Sequence, residues 1–157
     1  MNQTIQLVMF VVDGQRYALP LDVVERVTRS VEVTPLPEVP PIIQGAINLQ
    51  GRVVPVLDLR KRFRLPAREI GTADHFVIAR SSNGPVALPV DEALGLLRDM
   101  TGENLPAAEI VPNLPYVHDV FLFGPEMVFV LDIDTVLSDE EESALADSLR
   151  DLEDAPQ

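Results

Sequence analysis

The chain has 157 residues, is 46% apolar but only 5% aromatic, carries a formal net charge of -13 and contains no cysteine. That length suffices to bury an aliphatic core without staples. The missing cysteine excludes a disulfide framework, a thiolate zinc site and a Cys nucleophile, and the acidity argues against general nucleic-acid binding, which needs Lys and Arg against phosphates.

The opening stretch MNQTIQLVMFVVDGQ has no basic flank, and Asp13-Gly14 interrupts its apolar run. It reads as half of a hairpin rather than a signal or a membrane span. Residues 5–12 and 16–21 flank that Asp-Gly turn. The proline-rich TPLPEVPP, residues 34–41, follows as an extended connector. Further hairpins are predicted around Gln50-Gly51, around Ser81-Ser82-Asn83-Gly84 and around Gly124-Pro125-Glu126, each between runs rich in Val, Ile and Leu. Such turn residues tolerate positive φ, which tight hairpins require.

The second strand of each pair ends alike, as YALPLD, VVPVLD, VALPVD and VFVLD, at Asp22, Asp58, Asp91 and Asp132. A carboxylate at a strand exit accepts from the next backbone N–H groups, so all four are predicted to cap a turn or helix. Pro20, Pro55 and Pro89 lack the N–H donor and mark edges, bulges or barrel corners. Ser138 and Glu141 form a capping box before an acidic helix on which Leu145, Leu149 and Leu152 fall at i, i+4 and i+7. That stripe either docks on the strands or receives a partner.

The charge is uneven. Residues 52–68 hold Arg52, Arg60, Lys61, Arg62, Arg64 and Arg68 against Asp58, a local +5, whereas residues 132–157 carry ten acids and one base. The basic island either pairs with the acidic helix or meets acids on a partner.

Catalytic chemistry finds no support. His75 and His118 have no metal-like spacing partner, there is no phosphate-cradling glycine loop, and the serines sit in turns and caps. The residues point to a non-enzymatic binding module without cofactor or metal.

The run from Ile43 to Phe63, IQGAINLQGRVVPVLDLRKRF, resembles the signature of the CheW-like coupling proteins of bacterial chemotaxis arrays. So do FVVDGQRYALPLDVV near the start, DHFVIA with VALPVDEALGL, and MVFVLDIDTVLSDEE near the end. The resemblance implies an all-β fold of two intertwined five-stranded SH3-like barrels around a common core, with a C-terminal helix. It implies one CheW-like domain over residues 1–157, its acidic helix and tail at 138–157, acting in the cytoplasm and monomeric in isolation. The implied partners are the tip of a chemoreceptor and the regulatory domain of a CheA-type histidine kinase. Carried onto matching positions, the receptor-facing residues are Val24, Arg26, Gly45, Asn48, Gln50, Gly51 and Val53, and Arg60, Lys61, Arg62 and Arg64 offer an electrostatic contact. Gly45 and Gly51 are open to a second reading as plain turn glycines.

Two positions depart from the resemblance. Many members carry Arg at the position of Gln50 and Glu at that of Arg26, so a dedicated receptor in an alternative pathway is expected. The rival readings are a coupling domain detached from a larger signalling protein, a small barrel enzyme and a nucleic-acid-binding barrel. The starting Met1 and the acidic tail favour a free-standing adaptor.

Overall fold

Each predicted hairpin forms, and the physical signal is clearest at the first two turns. Asp13 and Gly14 have φ of 53° and 77°, and Gln50 and Gly51 have φ of 52° and 85°. Two successive positive-φ residues match the right-handed strand twist of a two-residue hairpin. The computed structural model describes residues 6–97, 104–106, 116–123 and 125–154. Ile5, Gly124 and residues 155–157 lie outside them, as does the side chain of Leu152.

The elements are β1 (Leu7–Val12), β2 (Gln15–Pro20), β3 (Val24–Arg29), β4 (Ile43–Leu49), β5 (Arg52–Leu57), α1 (Leu59–Arg62), β6 (His75–Ser81), β7 (Gly84–Val90), β8 (Glu92–Leu97), β9 (Asn104–Pro106), β10 (Val117–Phe123), β11 (Glu126–Leu131) and α2 (Asp139–Asp154). They form two sheets, ordered β8-β1-β2-β11-β10-β9 and β3-β6-β7-β5-β4. Apart from the three-residue β9, the sheets share one plan. Two hairpins meet through a parallel contact, β2 with β11 and β5 with β7, and a fifth strand lies antiparallel on the outer strand, β8 on β1 and β3 on β6. The fifth strands are exchanged. Leaving β2 of the first sheet, the chain enters β3 of the second; leaving β7 of the second, it enters β8 of the first. That exchange is the expected intertwining.

It also corrects the reading of the strand-exit carboxylates. Asp58 accepts from the Lys61 N–H and Asp132 from the Asp134 N–H, as caps do. The turn after β2 has no side-chain cap, and Asp91 leads directly into β8. Asp22 and Asp91 therefore mark crossovers: Asp22 lies inside a single 3-10 turn, Leu21–Val23, that is left without a side-chain cap, and after Asp91 the chain continues as strand with no helix to cap.

Burial explains why the apolar runs barely alternate. In β6, Phe76 and Ile78 join Ile47, Leu49, Val54, Val56 and Ala87 inside the second sheet's own core. Val77 and Ala79, on the opposite face, join Phe10, Leu19, Leu57, Val120 and Leu131 in a core that both sheets share. Leu7, Met9, Ala18, Phe121, Val128 and Val130 fill the inside of the first sheet. Strands buried on both faces read as continuous apolar runs. The second sheet closes on itself: Thr34, in the extended connector, exchanges two 2.8 Å backbone hydrogen bonds with Ala46 of β4. Closure removes an edge that would otherwise pair indiscriminately. The prolines fit this geometry, since the parallel ladder between β5 and β7 is confined to Val56 and Ala87, beside Pro55 and Pro89.

The acidic helix docks. Leu145 is buried in the shared core, Leu149 packs against it, and the buried Ser148 hydroxyl donates to the Pro37 carbonyl at 2.9 Å. The capping box forms as read, with Ser138 N–H to Glu141 Oε1 at 2.8 Å and Glu141 N–H to Ser138 Oγ at 3.2 Å.

Candidate interaction surface

The residues assigned to partners separate into an exposed face and an internal clamp. The face is built from β3 and the β4–β5 turn. Asn48 accepts from the Gly51 N–H at 2.9 Å and holds the tip. Arg26 Nη2 donates to Gln50 Oε1 at 3.3 Å, and Arg52 grips Glu25 with both terminal nitrogens, at 3.3 and 2.6 Å. These contacts join strands that β6 and β7 separate in the sheet order, so they are made possible by the sheet's curl. Val27 and Val53, next in the chain to Arg26 and Arg52, are 39% and 49% exposed. Isolated exposed valines are ordinary, and neighbouring residues of a strand point to opposite faces, so Val27 and Val53 do not extend the polar contact of Arg26 and Arg52.

Arg26, Asn48, Gln50, Gly51 and Val53 are thus all exposed on this tip and strand, while Val24 is half-buried against the shared core. Gly45 is not on the face. It is buried with φ of 151°, and a Cβ there would lie 2.2 Å from the Thr34 carbonyl oxygen. Its glycine is required by the crossing that closes the second sheet. Gly51 differs, since space around it is open and only its φ of 85° favours glycine.

Three residues of this face escaped the sequence reading as site residues: Glu25, Arg52 and Arg80. Arg80 on β6 donates to the Asp22 carbonyl at 2.7 Å. The hydrogen bond from Arg52 holds the Glu25 carboxyl below its ordinary range; desolvation opposes it, and the charges of Arg52, Arg26 and Arg80 add to the lowering. The pairing of β3 with β6 was the missing information.

The basic island is the clamp. Arg60 Nη2 reaches Asp91 Oδ2 at 2.8 Å and Nη1 lies 3.6 Å from Asp13 Oδ1, so one guanidinium joins both sheets. Arg68 Nη2 bridges Asp91 Oδ1 at 2.6 Å and Asp74 Oδ1 at 2.8 Å. The Asp13 N–H completes the set on Asp91 at 2.8 Å. Burial raises the Asp91 pKa, but the bonds from Asp13, Arg60 and Arg68 outweigh it, and the carboxyl titrates below its ordinary range. Arg62 meets Glu141 of α2 at 2.5 Å, and Lys61 donates to the Pro41 carbonyl at 3.0 Å. Just beyond α1, Phe63 stacks on Tyr17 with centroids 4.5 Å apart and packs on Tyr116 at 5.2 Å. Pairing with the acidic helix accounts for Arg62 alone; Arg60 and Arg68 meet strand-exit, turn and loop carboxylates, Arg52 meets Glu25 of β3, and Lys61 meets a backbone carbonyl. Of the four residues read as a possible electrostatic contact, Arg64, exposed at φ of 59°, has no side-chain partner among the described residues.

Elsewhere the histidines stay apart: His118 meets Asp119 at 2.7 Å, and Nδ1 of His75 is buried without a partner. Among the described residues no three His, Asp or Glu side chains gather as a metal site, and no helix is long and apolar enough to cross a membrane.

Comparison with known proteins gives a consistent family. The model of the CheW-like domain matches residues 6–141. The chemotaxis protein CheW of Bacillus subtilis is 39% identical over 88 residues, which span 56% of each chain. That of Treponema pallidum is 24% identical over 151 residues, 92% of this chain and 89% of the relative. That of Klebsiella aerogenes is 26% identical over 147 residues, 92% and 87%. The crystal structure of scaffolding protein TtCheW from Thermoanaerobacter tengcongensis shares the fold, with a TM-score of 0.79 over 88% of this chain and 96% of that one at 23% identity.

Proposed function

The chain belongs to the CheW-like family, a family of non-enzymatic scaffold adaptors, and from that premise we propose that it couples the cytoplasmic tip of a chemoreceptor to the regulatory domain of a CheA-type histidine kinase. The observation that carries this reading is the family match over residues 6–141. The geometry supports it. Two sheets joined by exchanged strands, a shared core and an ion-pair clamp make a rigid frame, and a frame that displays a fixed hairpin tip suits an adaptor. In this reading residues 1–157 act as one CheW-like domain on the cytoplasmic side of a receptor array.

One contact favours a dedicated receptor over a general motility array. Arg26 and Gln50, the positions that depart from the usual charges, touch each other, so both departures lie within one exposed contact. The test is sedimentation and calorimetry of the full chain with a receptor cytoplasmic hairpin and a kinase regulatory domain encoded near its gene. Binding to both, and a ternary complex, is expected. Binding to neither overturns the adaptor reading.

A further inference from the structure

Asn83, in the turn between β6 and β7, is the one asparagine of the sequence that precedes a glycine. Its side chain is exposed, and a Cβ at Gly84, whose φ is 123°, would meet nothing within 4 Å. With no side chain beside it, the Gly84 nitrogen can close on the Asn83 side-chain carbonyl when the turn opens. Ser81 restrains that opening: its hydroxyl donates to the Gly84 carbonyl at 2.7 Å and accepts from the Asn83 N–H at 3.3 Å, at the last pair of the ladder. The same turn touches the start of α2. Ser82 N–H donates to Asp134 Oδ1 at 2.7 Å, in the 3-10 turn Ile133–Thr135 before the helix, and the Asn83 amide donates to Glu142. Burial raises the Glu142 pKa, the bond from Asn83 opposes this, and the charges of Asp134 and Asp139 add to the rise. Beyond this contact α2 covers the shared core with Leu145 and Leu149.

We propose that Asn83 is a self-modifying site, deamidated through attack by the Gly84 backbone nitrogen, and that the product loosens α2 from the β6–β7 turn. In the first step a bond forms between the Gly84 nitrogen and the Asn83 side-chain carbonyl carbon while the amide C–N bond breaks. The Gly84 N–H proton passes to solvent, and the departing amine takes up a proton and leaves as ammonia. Water then opens the cyclic imide. Attack at the side-chain carbonyl gives aspartate, and attack at the main-chain carbonyl gives isoaspartate, with the chain routed through the side-chain carbon. Nothing is oxidised or reduced, and water is the co-reactant. Either product sets a carboxylate where the amide stood, so a donor to Glu142 becomes an anion facing Glu142, Asp134 and Asp139. Like charges at that range replace an attraction with a repulsion, and the turn no longer holds the first turn of α2. This chemistry is independent of the adaptor reading.

The experiment holds the folded full chain in warm, mildly alkaline buffer and maps it by mass spectrometry, which reads the exchange of amine for hydroxyl at each asparagine. Asn83 should convert about tenfold faster or more than Asn48, which precedes leucine and is tied to the Gly51 N–H, and Ser81→Ala should quicken Asn83 alone. After conversion, hydrogen exchange should open the first turns of α2 sooner, and the melting temperature should fall by a few degrees. Asn83→Asp should reproduce both effects at neutral pH. The new charge is unfavourable in the folded state, so its deficit against wild type is present above the carboxylate range and closes as pH falls below about 4. Asn83→Gln keeps the donor amide and closes such a ring far more slowly, so it should stay unconverted, with α2 exchanging as in wild type. Conversion of Asn83 no faster than that of Asn48 overturns the modification site. Fast conversion with unchanged α2 exchange, in both the converted chain and Asn83→Asp, overturns its coupling to the helix.

Discussion

The arginines of α1 and its following loop, and those of β3, β5 and β6, differ in what stands opposite them. In the first group Arg60, Arg62 and Arg68 meet Asp13, Asp74, Asp91 and Glu141, and the densest run of positive charge in the sequence is largely consumed inside the fold. In the second group Arg26, Arg52 and Arg80 come from three separate strands and surround Glu25. A charge run in sequence is therefore a poor guide to surface potential, because pairing partners are chosen by the fold. The clamp maintains the frame, and the scattered trio is left to face outward.

The most severe way to break this comparison is to break the frame that carries both groups. Gly45→Val sets a side chain against the Thr34 carbonyl, where a Cβ alone would be at 2.2 Å. Loss of about 4 kcal/mol or more is expected, seen as an unfolded or strongly destabilised chain by circular dichroism melting. Gly51→Ala, in open space at φ of 85°, should cost only about 1–2 kcal/mol. Equal costs would mean that closure through Thr34 is not what holds Gly45.

Asp91→Asn tests the clamp with a smaller effect. It leaves the Arg60 side chain, 13% exposed, facing a neutral amide. About 2–4 kcal/mol of stability should be lost while partner binding in the folded protein is unchanged. The sign with pH follows from the depressed pKa. The unfolded chain binds this proton more readily, so the stabilisation is present above the unfolded carboxylate pKa of about 4 and is lost as pH falls through the lower folded value. Denaturant melts from pH 7 to pH 2 should show that loss in wild type and a shallower profile in the variant. A parallel profile would remove Asp91 from the acid transition.

The smallest effect sharpens the outward face. Gln50→Arg alone brings two guanidiniums into contact, Arg26→Glu alone removes the cation, and together they create an ion pair at the site of the present 3.3 Å bond. Stability should change by less than about 0.5 kcal/mol in each case. Receptor affinity should fall in all three variants, less in the double than in either single, with a coupling of about 0.5–1 kcal/mol in a double-mutant cycle. Four equal affinities would make both residues ordinary surface.

Much of the frame was legible because its signals are local. Asp13-Gly14 and Gln50-Gly51 declare positive φ within two residues, and Ser138 with Glu141 declares a helix start within four. Even the division of the strand-exit carboxylates has a local trace. YALPLD and VALPVD precede the crossovers, while VVPVLD and VFVLD precede the capped turns, yet all four were read as caps. The exchange of β3 and β8 has no comparable signal, since a strand looks the same whichever sheet receives it. Hence Glu25, Arg52 and Arg80 were not read as one patch, and Gly45 was placed on a face from which Thr34 excludes it.

By itself the sequence determined the hairpins, the capped helix, the aliphatic core and the family, because turn geometry, capping and apolar runs act over a few residues and a long motif preserves their order. Only the tertiary structure decided which charges meet. Ion pairing depends on distances of a few ångströms between residues as far apart as Arg62 and Glu141, and those distances are set by how the two sheets exchange strands and pack.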